Sequence, residues 1–78
     1  MTIDSMLMDF IRNNPGVGLL ECGDYLLSAR PELFERVQEP VRSARNKAYV
    51  RLTSLLLYGS IRCENPTGKK AIYFIKEE

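Results

Sequence analysis

Leu52-Thr53-Ser54-Leu55-Leu56-Leu57-Tyr58-Gly59-Ser60-Ile61 is the stretch that decides the fold. Leu52 and Leu55 stand three apart, as on one helical face, and Gly59 follows where a helix stops on a residue that tolerates positive φ. After the glycine, Ile61 and Cys63 alternate with Arg62 and Glu64. Asn65-Pro66-Thr67-Gly68 then carries turn chemistry, and Lys70-Ala71-Ile72-Tyr73-Phe74-Ile75 is rich in β-branched and aromatic residues. The pattern predicts a helix that ends at Gly59 and runs into a β-hairpin.

Upstream, Pro40 opens the longest helical pattern, from about Val41 to Tyr58, with Val41, Ala44, Ala48, Leu52, Leu55 and Leu56 on one face. This segment holds no acid. Its basic residues Arg42, Arg45, Lys47 and Arg51 lie in the N-terminal two thirds, and its apolar C-terminal turns are expected beneath the hairpin. Before it, a first helix is predicted from about Ile3 to Asn13, capped by Thr2 or Asp4, with Ile3, Met6, Leu7, Phe10 and Ile11 facing the core. Asn13-Asn14-Pro15-Gly16 breaks it.

A second helix should run from about Leu19 to Ser28, with Leu19, Leu20, Gly23, Leu26 and Leu27 inward. Glycine in mid-helix costs about 1 kcal/mol relative to alanine, and close packing against a neighbouring helix is the natural reason for Gly23. Pro31 then opens a short extra helix that Leu33, Phe34 and Val37 would pin to the core.

At 78 residues, 45% hydrophobic and 27% charged, the chain has the composition of one soluble globular domain spanning 1–78, with no apolar run of the roughly 18 residues a membrane span needs. Met1-Thr2-Ile3-Asp4-Ser5 carries acid where a secretory signal carries Lys or Arg, so a cytoplasmic address is expected. Cys22 and Cys63 are the only cysteines and there is no histidine, so no metal site and no cofactor are expected, and both thiols are read as buried and free. Without histidine, general acid/base and nucleophilic catalysis find no support, and Pro15-Gly16-Val17-Gly18 lacks the lysine of a phosphate loop; the chain is not expected to be an enzyme.

The net charge is only +1, but it is unevenly spread. Residues 1–39 set three arginines against seven carboxylates, a net of −4, and residues 40–78 set eight cations against three carboxylates, a net of +5. Such asymmetry points to a nucleic-acid or acidic partner for the basic half.

In this order the elements resemble the winged helix-turn-helix superfamily. Three pieces carry the resemblance: Asn14-Pro15-Gly16-Val17-Gly18-Leu19-Leu20-Glu21-Cys22 looks like the start of its second helix, Leu52 to Ile61 like the end of its recognition helix, and Ile61 to Ile75 like its wing. The fold implied is α+β, mainly α: a three-helix core with a short extra helix and a C-terminal β-hairpin wing. One departure is the stretch from Ser28 to Pro40, where the family commonly has a turn of about three or four residues; it changes how the recognition helix is presented.

The resemblance implies a small sequence-specific binder of double-stranded DNA, similar to small bacterial and phage transcription regulators. Its recognition helix would enter the major groove with Arg42, Arg45 and Asn46 toward base edges and Ser43 on a base or phosphate. Lys47, Arg51, Lys69 and Lys70 would meet phosphates. A footprint this short implies a homodimer or a helper protein.

Val50 and Leu57 point away from the core stripe. Either the hairpin or the extra helix covers them, or they form a dimer or partner surface; Tyr49 and Tyr58 are read as core edge. The rival reading is a winged-helix protein-interaction module, an adaptor or inhibitor of a larger nucleic-acid machine that does not itself touch DNA.

Overall fold

Three α-helices and a three-stranded antiparallel sheet make up the computed structural model, which describes residues 2–65 and 71–76; the fold is α+β and mainly helical. Helix α1 spans Ile3–Asn13 and opens on Thr2, whose hydroxyl oxygen accepts the Ser5 N–H at 3.1 Å, a cap worth about 1 kcal/mol. Met6, Leu7 and Ile11 form its buried stripe. The helix ends at Asn14, whose N–H donates to Ile11 O and whose side-chain amide donates to Phe10 O at 2.9 Å.

Gly16 turns the chain at φ +84°, and its N–H donates to Tyr73 O at 3.0 Å. Strand β1, Val17–Gly18, follows and pairs with β3 through Val17↔Tyr73 and Gly18↔Ile72. This strand is absent from the sequence reading, which takes the segment only as the approach to the second helix. Two residues are too few to display alternation, and their extended state comes from a partner more than fifty residues away.

Helix α2 spans Leu19–Ala29, with Cys22, Gly23 and Leu26 buried. Leu20, expected inside, is 55% exposed. At about 100° per residue it lies nearly a third of a turn from the centre of the buried face, and Cys22 fills the place instead. A single 3-10 turn, Pro31–Phe34, follows. Phe34 alone is buried there, while Leu33 and Val37 stay exposed, so one side chain and not three pins this segment.

Helix α3, Pro40–Tyr58, is the centre of the molecule. Ala44, Ala48, Leu52 and Leu55 are buried, and the helix stops at Gly59 in the left-handed region (φ +77°), where the N–H groups of Gly59 and Ser60 donate to Leu56 O and Leu55 O. Two small alanines let α2 approach, and Gly23 completes the fit. A β-carbon at position 23 would lie 2.6 Å from Arg45 Cα and 2.5 Å from Arg45 Cγ. The close helix packing expected of Gly23 is what the structure contains.

Strands β2 (Ile61–Glu64) and β3 (Ile72–Ile75) pair in the register Ile61↔Ile75 to Glu64↔Ile72, giving the sheet order β1-β3-β2. Ile61 and Tyr73 close the core against α1 and α3, and a Phe10–Tyr25 ring stack at 4.3 Å joins α1 to α2. Cys22 is buried and Cys63 half-buried; both are free.

The C-terminal turns of α3 depart from expectation. Leu52 and Leu55 are buried, but Leu57 is 83% exposed, Tyr58 77% and Val50 58%. Neither the described strands of the hairpin nor the 3-10 turn covers them. Tyr49 and Val41 are also exposed, so the tyrosines are not core edge and Val41 is not part of the core stripe.

Candidate nucleic-acid interface

Position around the α3 axis sorts its polar residues into two groups. The buried line Ala44-Ala48-Leu52-Leu55 defines the inner face, and at about 100° per residue Arg45 and Arg51 fall on its two flanks. Arg42, Ser43, Asn46, Lys47 and Val50 fall on the side away from it.

The flanking arginines are both engaged. Arg45 reaches α2 and donates from Nε and Nη2 to the two carboxylate oxygens of Asp24, at 3.1 and 3.2 Å. Arg51 reaches α1 and makes the same fork on Asp4, at 2.7 and 2.6 Å. Two-pronged pairs of this kind are directional as well as ionic. The hydrogen bonds from Arg51 hold the Asp4 carboxyl below its ordinary range against the opposing effect of burial, and Asp4 in turn raises Arg51. Arg45 and Arg51 are thus the clasps that fix α3 to α2 and α1, their charges answered inside the chain.

The outward residues are differently placed. Arg42 and Lys47 are exposed, Asn46 is exposed between them, and Ser43 is half-buried. Arg42 meets one carboxylate, that of Glu39, at 3.6 Å and with both side chains largely in solvent. Lys47 has no ion-pair partner among the described residues. No carboxylate belongs to α3 itself. The structure therefore gathers Arg42, Ser43, Asn46 and Lys47 on one face and separates Arg45 and Arg51 from them. Lys69 and Lys70, expected at the hairpin tip, lie outside the described residues.

Beside this face runs an open groove of about 670 Å³ between the N-terminal ends of α2 and α3. Leu19, Leu20, Pro40, Val41 and Tyr49 line its apolar part, and Glu39, Arg42, Arg45 and Asn46 its polar part. Leu20 and Tyr49 contribute surface here that the sequence reading assigned to the core. The carboxylates of Asp4 and Asp24 were likewise missed as arginine partners. A signal existed for Asp24, because it follows Gly23 at the point where α2 must cross α3; none existed for Asp4.

On the sheet, Arg62 lies 4.2 Å from the centre of the Phe74 ring and pairs with Glu64 at 3.0 Å. Phe74 is its cross-strand neighbour, so this cation is also held by its own chain. Burial pushes the Cys22 thiol up to about 12, which leaves it protonated at neutral pH. Among the described residues no three of His, Cys, Asp or Glu gather closely enough to hold a metal ion, and no helix is long and apolar enough to cross a membrane.

The chain matches none of the family models, curated proteins or solved structures with which it was compared.

Proposed function

We propose that this chain is a winged helix-turn-helix protein that binds double-stranded DNA in a sequence-specific way and serves as a transcription regulator. The observation that carries the reading is the outward face of α3. Over its first turns that face presents Arg42, Ser43, Asn46 and Lys47 with no carboxylate of its own. The element order supports it: a helix, a short strand, two further helices and two hairpin strands, with β1 closing the sheet beside β3.

In this reading α3 is the recognition helix. Arg42 suits guanine and Asn46 adenine in the major groove, while Ser43 and Lys47 suit phosphates. Arg45 and Arg51, each already forked onto a carboxylate, hold the helix at the angle at which those groups are offered and are withdrawn from the contact set. A short footprint calls for a second copy or a helper protein.

The test is a titration of labelled random-sequence duplex at low and moderate salt. Binding that falls steeply with salt, with Lys47→Ala lowering the logarithmic salt slope by about 1, supports the reading. Absence of binding at low salt removes it.

The second reading is a winged-helix docking module that binds protein and not DNA. It draws on the exposed apolar side chains Leu20, Val41, Tyr49, Val50 and Leu57, since grouped exposed apolar residues mark contact surfaces. The same titration separates the two.

A further inference from the structure

Arg42, Asn46 and Val50 follow one another at four-residue intervals along the outward face of α3. Each step advances about 6 Å along the axis and drifts about 40° around it, so the three side chains form a nearly straight row. Arginine and asparagine are the residues whose forks match guanine and adenine edges. The third member is different in kind. Val50 is 58% exposed, carries no polar atom, and has polar neighbours on the same face: Asn46 and Lys47 one turn before it, Thr53 and Ser54 one turn after.

A β-branched apolar side chain in such a row has one chemical match on the floor of a major groove. Of the groups that the four base pairs expose there, the thymine C5-methyl is the one apolar group that projects far enough to pack against a side chain. The other exposed apolar residues of α3 do not compete for it. Val41 and Tyr49 face the groove beside α2, and Leu57 and Tyr58 lie about 10 Å or more further along the helix than Val50.

We infer that Val50 is a specificity-determining residue that reads a thymine methyl group, in a site where Asn46 reads an adenine beside it. The inference rests on the DNA-binding reading and deepens it, naming an A·T-containing step as the sequence recognised by the middle of α3. Val50 adds discrimination and no charge, so its loss changes which duplex is preferred and leaves the salt dependence unaltered.

The experiment uses the full chain and a duplex enriched from a random-sequence pool by repeated rounds of binding. That duplex is then synthesised with each thymine in turn replaced by uracil, which removes the methyl and keeps every hydrogen-bonding group. For the native chain, one replacement should weaken binding about fourfold, the factor that follows from burying one methyl-sized group. Val50→Ala should bind the thymine and uracil duplexes equally. Val50→Thr, which keeps one methyl, should retain part of the difference. Both substitutions are at an exposed position, and circular dichroism checks that the fold is kept.

Equal binding of all uracil duplexes by the native chain overturns the inference, as does a thymine preference that survives in Val50→Ala. So does retention of random duplex without enrichment of any sequence, because binding without sequence preference leaves the methyl unread. Failure to retain any duplex at low salt is a different result: it removes the DNA-binding reading, and this inference with it.

Discussion

Arg42 and Arg45 are three residues apart on one helix and occupy opposite situations. Arg45 points to α2, lies over the backbone of Gly23 and is gripped by Asp24, whereas Arg42 points to solvent with one loose carboxylate at 3.6 Å. The same contrast separates Arg51, forked onto Asp4, from Lys47, which has no ion pair among the described residues. Basic composition along a helix therefore says little about available charge. Angular position relative to the buried stripe decides whether a cation holds the fold together or remains for a partner.

The sharpest way to break this contrast is to disturb the helix crossing on which the inner arginines depend. Gly23→Ala places a β-carbon 2.6 Å from Arg45 Cα, a backbone atom that cannot move without moving α3. Overpacking of this severity costs about 3 kcal/mol, several times what alanine gains in helix propensity. A lower urea midpoint for Gly23→Ala is the expected outcome. An unchanged midpoint means that the helices are not held at this distance.

The outer residues should behave in the opposite manner. Arg42→Ala should leave the urea midpoint where it is and lower affinity for the preferred duplex about tenfold, as loss of a two-pronged base contact does. Lys47→Ala should weaken binding to all duplexes alike. Asp24→Ala inverts the test: it frees Arg45, lowers stability, and by releasing a cation beside the outward face strengthens non-specific binding at low salt. If Arg42→Ala destabilises the fold as much as Asp24→Ala does, the division between inner and outer cations fails.

How much of this was legible in the chain follows from the range of each interaction. Gly59 as a helix stop and Gly23 as a close-packing point were readable because each is a local conflict between residue type and helix. The limits of α1 and α3 were readable for the same reason, through Thr2, Pro15, Pro40 and Gly59. Strand β1 was not, since only β3 makes Val17 and Gly18 extended. The role of Arg51 was out of reach, because its carboxylate lies 47 residues away in sequence with nothing to mark it, whereas for Arg45 only the neighbourhood of Gly23 pointed to Asp24, 21 residues away. Val50 and Leu57 were correctly placed on the outward side; what could not be read was that none of the described residues returns to cover them.

A smaller effect sharpens the Arg51 side of the comparison. Asp4 has its carboxyl lowered below the ordinary 3.8 mainly by hydrogen bonds from Arg51. In the range between the folded and unfolded values the unfolded chain binds more protons, so stability rises with pH there. The contribution is complete above about pH 5 and is lost as the pH falls through the lowered folded value. Asp4→Asn should therefore reduce stability at neutral pH and flatten the acid limb of a plot of urea midpoint against pH.

The smallest expected effect concerns Leu57, the most exposed apolar side chain of α3. Leu57→Ser removes no burial from the folded monomer and should leave its urea midpoint unchanged at low protein concentration, since surface substitutions away from special features move stability by at most about 0.5 kcal/mol. Sedimentation velocity over a range of concentrations then distinguishes the two ways in which this residue stands free. If the native chain associates and Leu57→Ser does not, the last turn of α3 is the contact between two copies, and on the proposed DNA-binding function the outward face divides by length into a reading half and a pairing half. If both remain monomeric and bind duplex with equal affinity, Leu57 is solvent surface in the functional state as well. The cations at the helix start then act without help from its end.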